Sequence, residues 1–157
     1  MARKVYGSLC NRMAEGRNYK ENQTIEVGDD ITMYYWSDRD CYYVTEVVDQ
    51  KHIFVKSYEV VADHSKPGGM GHQDWLYFKS RKEANVYLNE HMSEERIKAY
   101  GKYPVEDIKE APAEEWVFRY GKWNRVVGVD DNGKKIYRKL QSNISFGVRD
   151  YYYDWEF

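Results

Sequence analysis

Cysteine is scarce in this chain, and it has neither a long apolar run nor a strong charge of either sign. Its two cysteines, Cys10 and Cys41, are too few for a disulfide framework. A reducing cytosol is therefore the expected compartment. No stretch approaches the ~18 apolar residues of a membrane span, and the opening MARKVYGSLCNRM carries basic residues without the apolar core of a signal peptide. Neither membrane insertion nor export is expected. With 24 Lys and Arg against 26 Asp and Glu, the formal net charge of −2 decides nothing about partners as a total. Its distribution is more telling: the first twenty residues are basic, and so is the stretch from Trp116 to Leu140. Aliphatic residues are also thin. In their place stand sixteen Tyr and five Trp, whose hydroxyl and indole groups need partners, so many rings should lie half-buried or in a binding surface.

The length fits one domain over 1–157, which at this size buries roughly two-thirds of its unfolded surface. The stretch from Ile31 to Tyr58 organises it. β-branched and aromatic residues dominate there, broken only at Ser37-Asp38-Arg39-Asp40 and Asp49-Gln50-Lys51, which is the pattern of a three-stranded meander. Both faces of these strands are largely apolar, so the sheet should curl on itself or be covered. Lys4 to Tyr6 and Thr24 to Val27 read as short strands, Ser8 as the cap of a brief helix, and Val60-Val61 as a continuation of the third strand. DHSKPGGMGHQ, from Asp63 to Gln73, is a loop by composition, and DWLYFK returns as a strand. Ser80 with Glu83 forms a capping box ahead of Ala84, Tyr87, Leu88, His91 and Met92, which share one helical face. A second helix begins at Ser93, and an acidic arm runs from Pro104 to Glu115. Strands resume at Trp116–Tyr120 and Trp123–Val129, then Asp131-Asn132-Gly133-Lys134 predicts a type I′ hairpin turn. Ile136–Leu140, Ile144–Gly147 and Tyr151–Trp155 complete the β-rich end. The expected fold is β-rich α+β, a small curled antiparallel sheet or SH3-like barrel with a helical insertion at about 80–113.

Several segments together resemble a known group: YGSLCNRM, IEVGDDITMYYWSDRDCYYVTEV, DQKHIFVK and the closing ISFGVRDYYYDWEF. They are similar to a family of small uncharacterised proteins encoded by phages and prophages of Gram-positive gut bacteria. Its members carry Gly-Met-Gly-Val/Ala-Thr before a Tyr/Trp-Ser-Asp-Arg turn and end on Tyr-x-Asp-x-x-Phe. Here the turn is Trp36-Ser37-Asp38-Arg39, and Asp29 and Asp30 replace the Met and second Gly. The similarity covers roughly 5–79 and 116–157, leaving the capped helix and acidic arm as an insertion. It implies a phage setting and a short β-rich fold, and it brings no catalytic residues with it.

Candidate chemistry is sparse. Arg39 pairs with a carboxylate inside a turn, or it offers a guanidinium fork, braced by Asp38, to a partner's carboxylate or phosphate. The glycines of Lys66–Gly71 lead to a strand where a phosphate-binding loop would lead to a helix. Asp63, His64, His72, Asp74 and His91 include metal-capable side chains without the spacing of a zinc site, so no metal and no cofactor is expected. Cys41 is a poor nucleophile beside Asp38 and Asp40. The fullest constellation is basic and aromatic: Arg119, Tyr120, Lys122, Trp123 and Arg125 on one strand pair, then Lys134, Lys135, Tyr137, Arg138 and Lys139 across the hairpin. Charge for phosphates beside rings for bases suits single-stranded nucleic acid. Strand alternation that sends cations to water and rings to the core is the plainer alternative.

The leading expectation is a non-enzymatic phage accessory protein that binds and modulates a host protein or complex, a defence or nucleic-acid-processing assembly included. The alternatives are a nucleic-acid or nucleotide binder through Arg119, Lys122, Trp123, Arg125, Lys135, Tyr137 and Arg138, and a metal-dependent hydrolase around His64, His72 and Asp74.

Overall fold

A computed structural model describes residues 24–66, 73–140 and 143–153. The expected strand at Lys4, the helix from Ser8, Cys10, most of the glycine loop, His72 and the tail beyond Tyr153 lie outside them. Among the described residues nine strands and two helices follow in order: β1 (Asp30–Tyr34), β2 (Arg39–Asp49), β3 (His52–Ser57), β4 (Glu59–Ala62), β5 (Trp75–Phe78), α1 (Arg81–His91), α2 (Glu94–Tyr100), β6 (Glu114–Arg119), β7 (Lys122–Val129), β8 (Lys135–Lys139) and β9 (Asn143–Phe146). The described residues cluster into two compact units, one within 24–57 and Pro112–Tyr153, the other within Tyr58–Ala111.

The first unit is a seven-stranded sheet ordered β8-β7-β6-β3-β2-β1-β9, every described pairing being antiparallel. β3 and β6 pair directly, so the 58–111 excursion interrupts what would otherwise be a hairpin. The sheet is strongly curled. Trp123 on β7 and Phe146 on β9 are five strand spacings apart in sheet order, about 24 Å on a flat sheet. Their ring centroids are nevertheless 5.5 Å apart. They meet across a core of Ile31, Met33, Tyr42, Val44, Ile53, Val55, Trp116 and Ile144. β8 and β9 remain edges, so among the described strands hydrogen bonding closes no barrel.

β1 is buried on both faces, which accounts for its lack of a polar side. Ile31 and Met33 enter the core, while Thr32 lies under the segment after β9 and Tyr34 is buried on the same side of the strand. Thr32 Oγ1 donates to Val148 O at 2.6 Å and accepts from Asp150 N at 3.2 Å, fastening that segment to the sheet. Of the last expected strand, only a bridge between Arg39 and Tyr152 lies within the described residues.

Two local expectations are corrected. Thr24 to Val27 is not a strand: the backbone N–H and C=O of the buried Ile25 bond the Gln50 side chain at 2.6 and 3.0 Å, so an amide side chain replaces a neighbouring strand. The turn at Asn132-Gly133 is not type I′, because Gly133 alone has positive φ, at 79°. Asp130 organises it, its carboxylate accepting from Asn132 N and Lys134 N at 2.9 Å each. Two successive positive-φ residues, the type I′ requirement, occur instead at Tyr120 (53°) and Gly121 (75°) between β6 and β7.

In the second unit, β4 and β5 form a separate two-stranded sheet against which α1 packs, so Val60-Val61 does not extend the third strand. Ser80 caps α1 as expected, accepting from Glu83 N at 3.1 Å. The acidic arm adds a second cap, since the Glu110 carboxylate accepts from Arg81 N and Lys82 N at 2.8 and 3.1 Å. A carboxylate there also complements the positive end of the helix dipole. Asn85 and Asn89, one helical turn apart, hold the start of the arm by bonding the backbone of Pro104 and Tyr103. No helix of the described residues is long and apolar enough to cross a membrane.

Candidate nucleic-acid interface

The basic and aromatic residues of β6, β7 and β8 separate by strand alternation onto two faces. In register, Arg119 opposes Lys122, Asn124 opposes Lys139, and Val126 opposes Tyr137. These residues, with Glu115 and Lys135, share the outer face. Trp123 lies on the other. It is 5% exposed and packs against Phe118 and Phe146 at 5.4 and 5.5 Å, so its expected place in a binding surface is corrected to the core.

Arg125 follows Trp123 onto the inner face. Its Nε meets a Glu114 carboxylate oxygen at 2.5 Å, and burial pushes the Glu114 pKa up against that attraction. Arg125 therefore neutralises a half-buried carboxylate and is not presented to a ligand. Arg138 opposes Arg125 in register and is exposed on that same side, apart from the outer cluster. Lys135 is on the outer face, but its ammonium pairs with Glu115, which also meets His52 Nε2 at 2.7 Å. The pairing raises the Lys135 pKa and, together with the His52 hydrogen bond, lowers that of Glu115.

With Lys134 in the turn before β8, Arg119, Lys122 and Lys139 remain on the strands of the outer face. None has a carboxylate partner among the described residues. The Arg119 guanidinium lies 4.0 Å from the Tyr137 ring centroid and 5.2 Å from that of Tyr120. Lys139 contacts Lys122 and depresses its pKa, by that contact first and by its charge second. Two exposed ammonium groups on neighbouring strands, with a ring-stacked guanidinium on the same face, concentrate positive charge where an anion would relieve the repulsion. Tyr120, 92% exposed at the tip of the β6–β7 hairpin, adds a largely open ring beside the Arg119 guanidinium. Tyr120 and Lys139 belonged to the sequence constellation; which members would face outward together depended on register.

Arg39 is placed by contacts with the segment after β9. Its guanidinium pairs with Asp150, stacks on Tyr152 at 4.8 Å and has a side chain only 13% exposed. The expected fork for a partner is corrected to an internal clamp. The same hairpin leaves Trp36 94% exposed at its tip. Cys41 is buried, and burial above all pushes its thiol up to about 12. Of the metal-capable residues, Asp63 receives hydrogen bonds from Ser65 N and Oγ, Asp63 N donates to Asp74 O, and His64 stacks beside His91. Among the described residues no three His, Cys, Asp or Glu side chains form a metal-holding group.

Comparison with family models, with curated proteins and with solved structures finds no match for this chain.

Proposed function

We propose that this is a non-catalytic phage accessory protein that works in the host cytoplasm by binding a host macromolecule, and that it takes single-stranded nucleic acid on the outer face of β6, β7 and β8. The phage setting rests on the resemblance of the Trp36–Arg39 turn and the closing segment. One observation carries the ligand: Arg119, Lys122 and Lys139 share an exposed face without carboxylate partners, beside the rings of Tyr120 and Tyr137. Cations track phosphates, and a base can stack on an exposed ring for about 1–3 kcal/mol. An SH3-like roll is the finer fold assignment within this reading. The contact between Trp123 and Phe146 supports it, and the open β8 edge departs from it.

The test is fluorescence anisotropy with labelled single-stranded DNA and RNA. Lys122→Glu with Lys139→Glu should abolish binding while leaving the melting curve in place. Binding unchanged by that pair of substitutions would overturn the assignment.

A protein partner is the second reading, favoured by Trp36, because exposed Trp residues are frequent anchors at protein interfaces. Under it, Trp36→Ala removes capture of a host protein and leaves oligonucleotide binding intact.

A further inference from the structure

The second unit holds a pair of histidines with no part in the nucleic-acid reading. His64 follows β4 and His91 closes α1. Their ring centroids are 5.7 Å apart at an interplanar angle of 32°, and both lie against Tyr87, whose ring is 4.1 Å from His91 and 5.7 Å from His64. The Tyr87 hydroxyl also accepts the His64 backbone N–H at 2.9 Å, and the other side of its ring meets Phe78 on β5 at 5.6 Å. One side chain thus braces both imidazoles.

Each ring has its tautomer set by a backbone carbonyl. His64 Nδ1 is 3.0 Å from Ala62 O, and His91 Nδ1 is 2.9 Å from Tyr87 O. A carbonyl oxygen only accepts, so both Nδ1 atoms carry the proton, and in the neutral rings both Nε2 atoms keep their lone pairs. Neither Nε2 has a partner among the described residues, and both side chains are exposed. A metal-binding histidine is commonly prepared in this way, with its second nitrogen donating to a carbonyl that orients the ring and increases its basicity.

We propose that His64 and His91 form a two-imidazole site for a divalent cation of the zinc type, bound through their Nε2 atoms. The spacing suits it: with metal–nitrogen bonds of about 2.0–2.1 Å, two imidazoles on one ion have their centres roughly 5–6 Å apart. No carboxylate or thiolate completes a group of three among the described residues, so the chemistry favours a cation that accepts neutral nitrogen ligands over one that demands oxygen. Positions on the ion not taken by the imidazoles are left to water. Calcium and magnesium are excluded by the same preference.

The site is tested on the full-length, untagged chain by calorimetric titration with Zn2+ alone. One ion per chain should bind, and His64→Gln and His91→Gln should each weaken it by more than about tenfold. His52→Gln, which removes the histidine on Glu115, should leave it unchanged. Metal-free melting curves establish that each variant is folded; if His91→Gln alters its curve, His91→Ala, which keeps helix propensity, takes its place. Absence of binding by the unaltered chain, wild-type affinity in either the His64 or the His91 variant, or loss of binding in His52→Gln would each overturn the proposal.

Discussion

Arg39 shows how a residue that looks available in sequence can be engaged in the fold. It stands in a charged tetrapeptide between two apolar strands, yet its partners Asp150 and Tyr152 come from more than a hundred residues further on. No local pattern indicates such a pairing, because it exists only once β9 has docked on β1. Arg39→Ala removes the stack on Tyr152 and leaves Asp150 without its counter-ion, so we expect a loss of about 2 kcal/mol in chemical denaturation with no change in oligonucleotide affinity. Arg125→Glu would be a poor probe of binding for a similar reason, since it sets two carboxylates against each other where Glu114 now has its cation. Asp40 adds a pH dependence. Burial first, and Asp38 second, raise its pKa, while a hydrogen bond from Tyr35 works the other way. A carboxyl with a higher pKa folded than unfolded makes the folded state take up protons, so its contribution to stability is present at low pH and is lost as pH rises through the folded value. Glu114 acts in the same direction; Glu115, held low by Lys135 and His52, acts in the opposite one and loses its contribution as pH falls. Asp40→Asn removes one term cleanly and keeps an acceptor for Tyr35. Its urea midpoint should rise at pH 7, and the gain should shrink at pH 4.

The strands and helices themselves were largely legible, because hydrophobic period and capping residues act locally. β1 to β3, β5 to β9 and both helices fall close to where alternation, Ser80 and Ser93 put them. Turn chemistry was misassigned where a side chain competed: Asp130 captures two amides and so makes an ordinary turn of a sequence rich in type I′ residues. The type I′ geometry went to Tyr120-Gly121, where Tyr is an unfavourable residue for a left-handed backbone. Backbone strain and exposure coincide at Tyr120, which makes it the position where the proposed binding and the stability of the hairpin can be separated. Tyr120→Asn separates the two effects. Asn tolerates the positive φ, so stability should increase by about 0.5–1 kcal/mol, while affinity for single-stranded nucleic acid should fall by about 1–3 kcal/mol if a base stacks on the ring. Thermal melts and anisotropy on the same preparation read both, and a variant that is more stable and binds equally well would remove Tyr120 from the interface.

At the scale of the whole molecule, the excursion leaves at Ser57 and returns at Pro112, between strands that are already partners. It therefore adds a hairpin and two helices without changing the order of the main sheet, and β4 was hidden in sequence because Val60-Val61 continues the apolar character of β3, whereas β5 was legible. Charge is arranged on the same economical plan. A net −2 cannot draw in a polyanion over distance, and the acidic arm shares the chain with the basic strands. Under the proposed reading, attraction would come from the cations of the outer face that stay clear of the Arg39, Arg125 and Lys135 ion pairs. Which cations those were could not be read from the sequence of the basic strands, since pairing with Glu114 and Glu115 depends on how β6, β7 and β8 lie side by side. The count has a measurable consequence. Neutralising Z phosphates of a single strand gives a slope of about −0.7Z in log affinity against log salt, so Arg119, Lys122 and Lys139 acting together should give a slope near −2. The whole basic stretch acting at once would give a slope more than twice as steep. Lys139→Gln should reduce the slope by about 0.7 and weaken binding to all sequences alike, because a phosphate contact carries no base information. A slope near zero would mean that the outer face does not hold phosphates, and binding by any part of this chain would then have to be sought at Trp36.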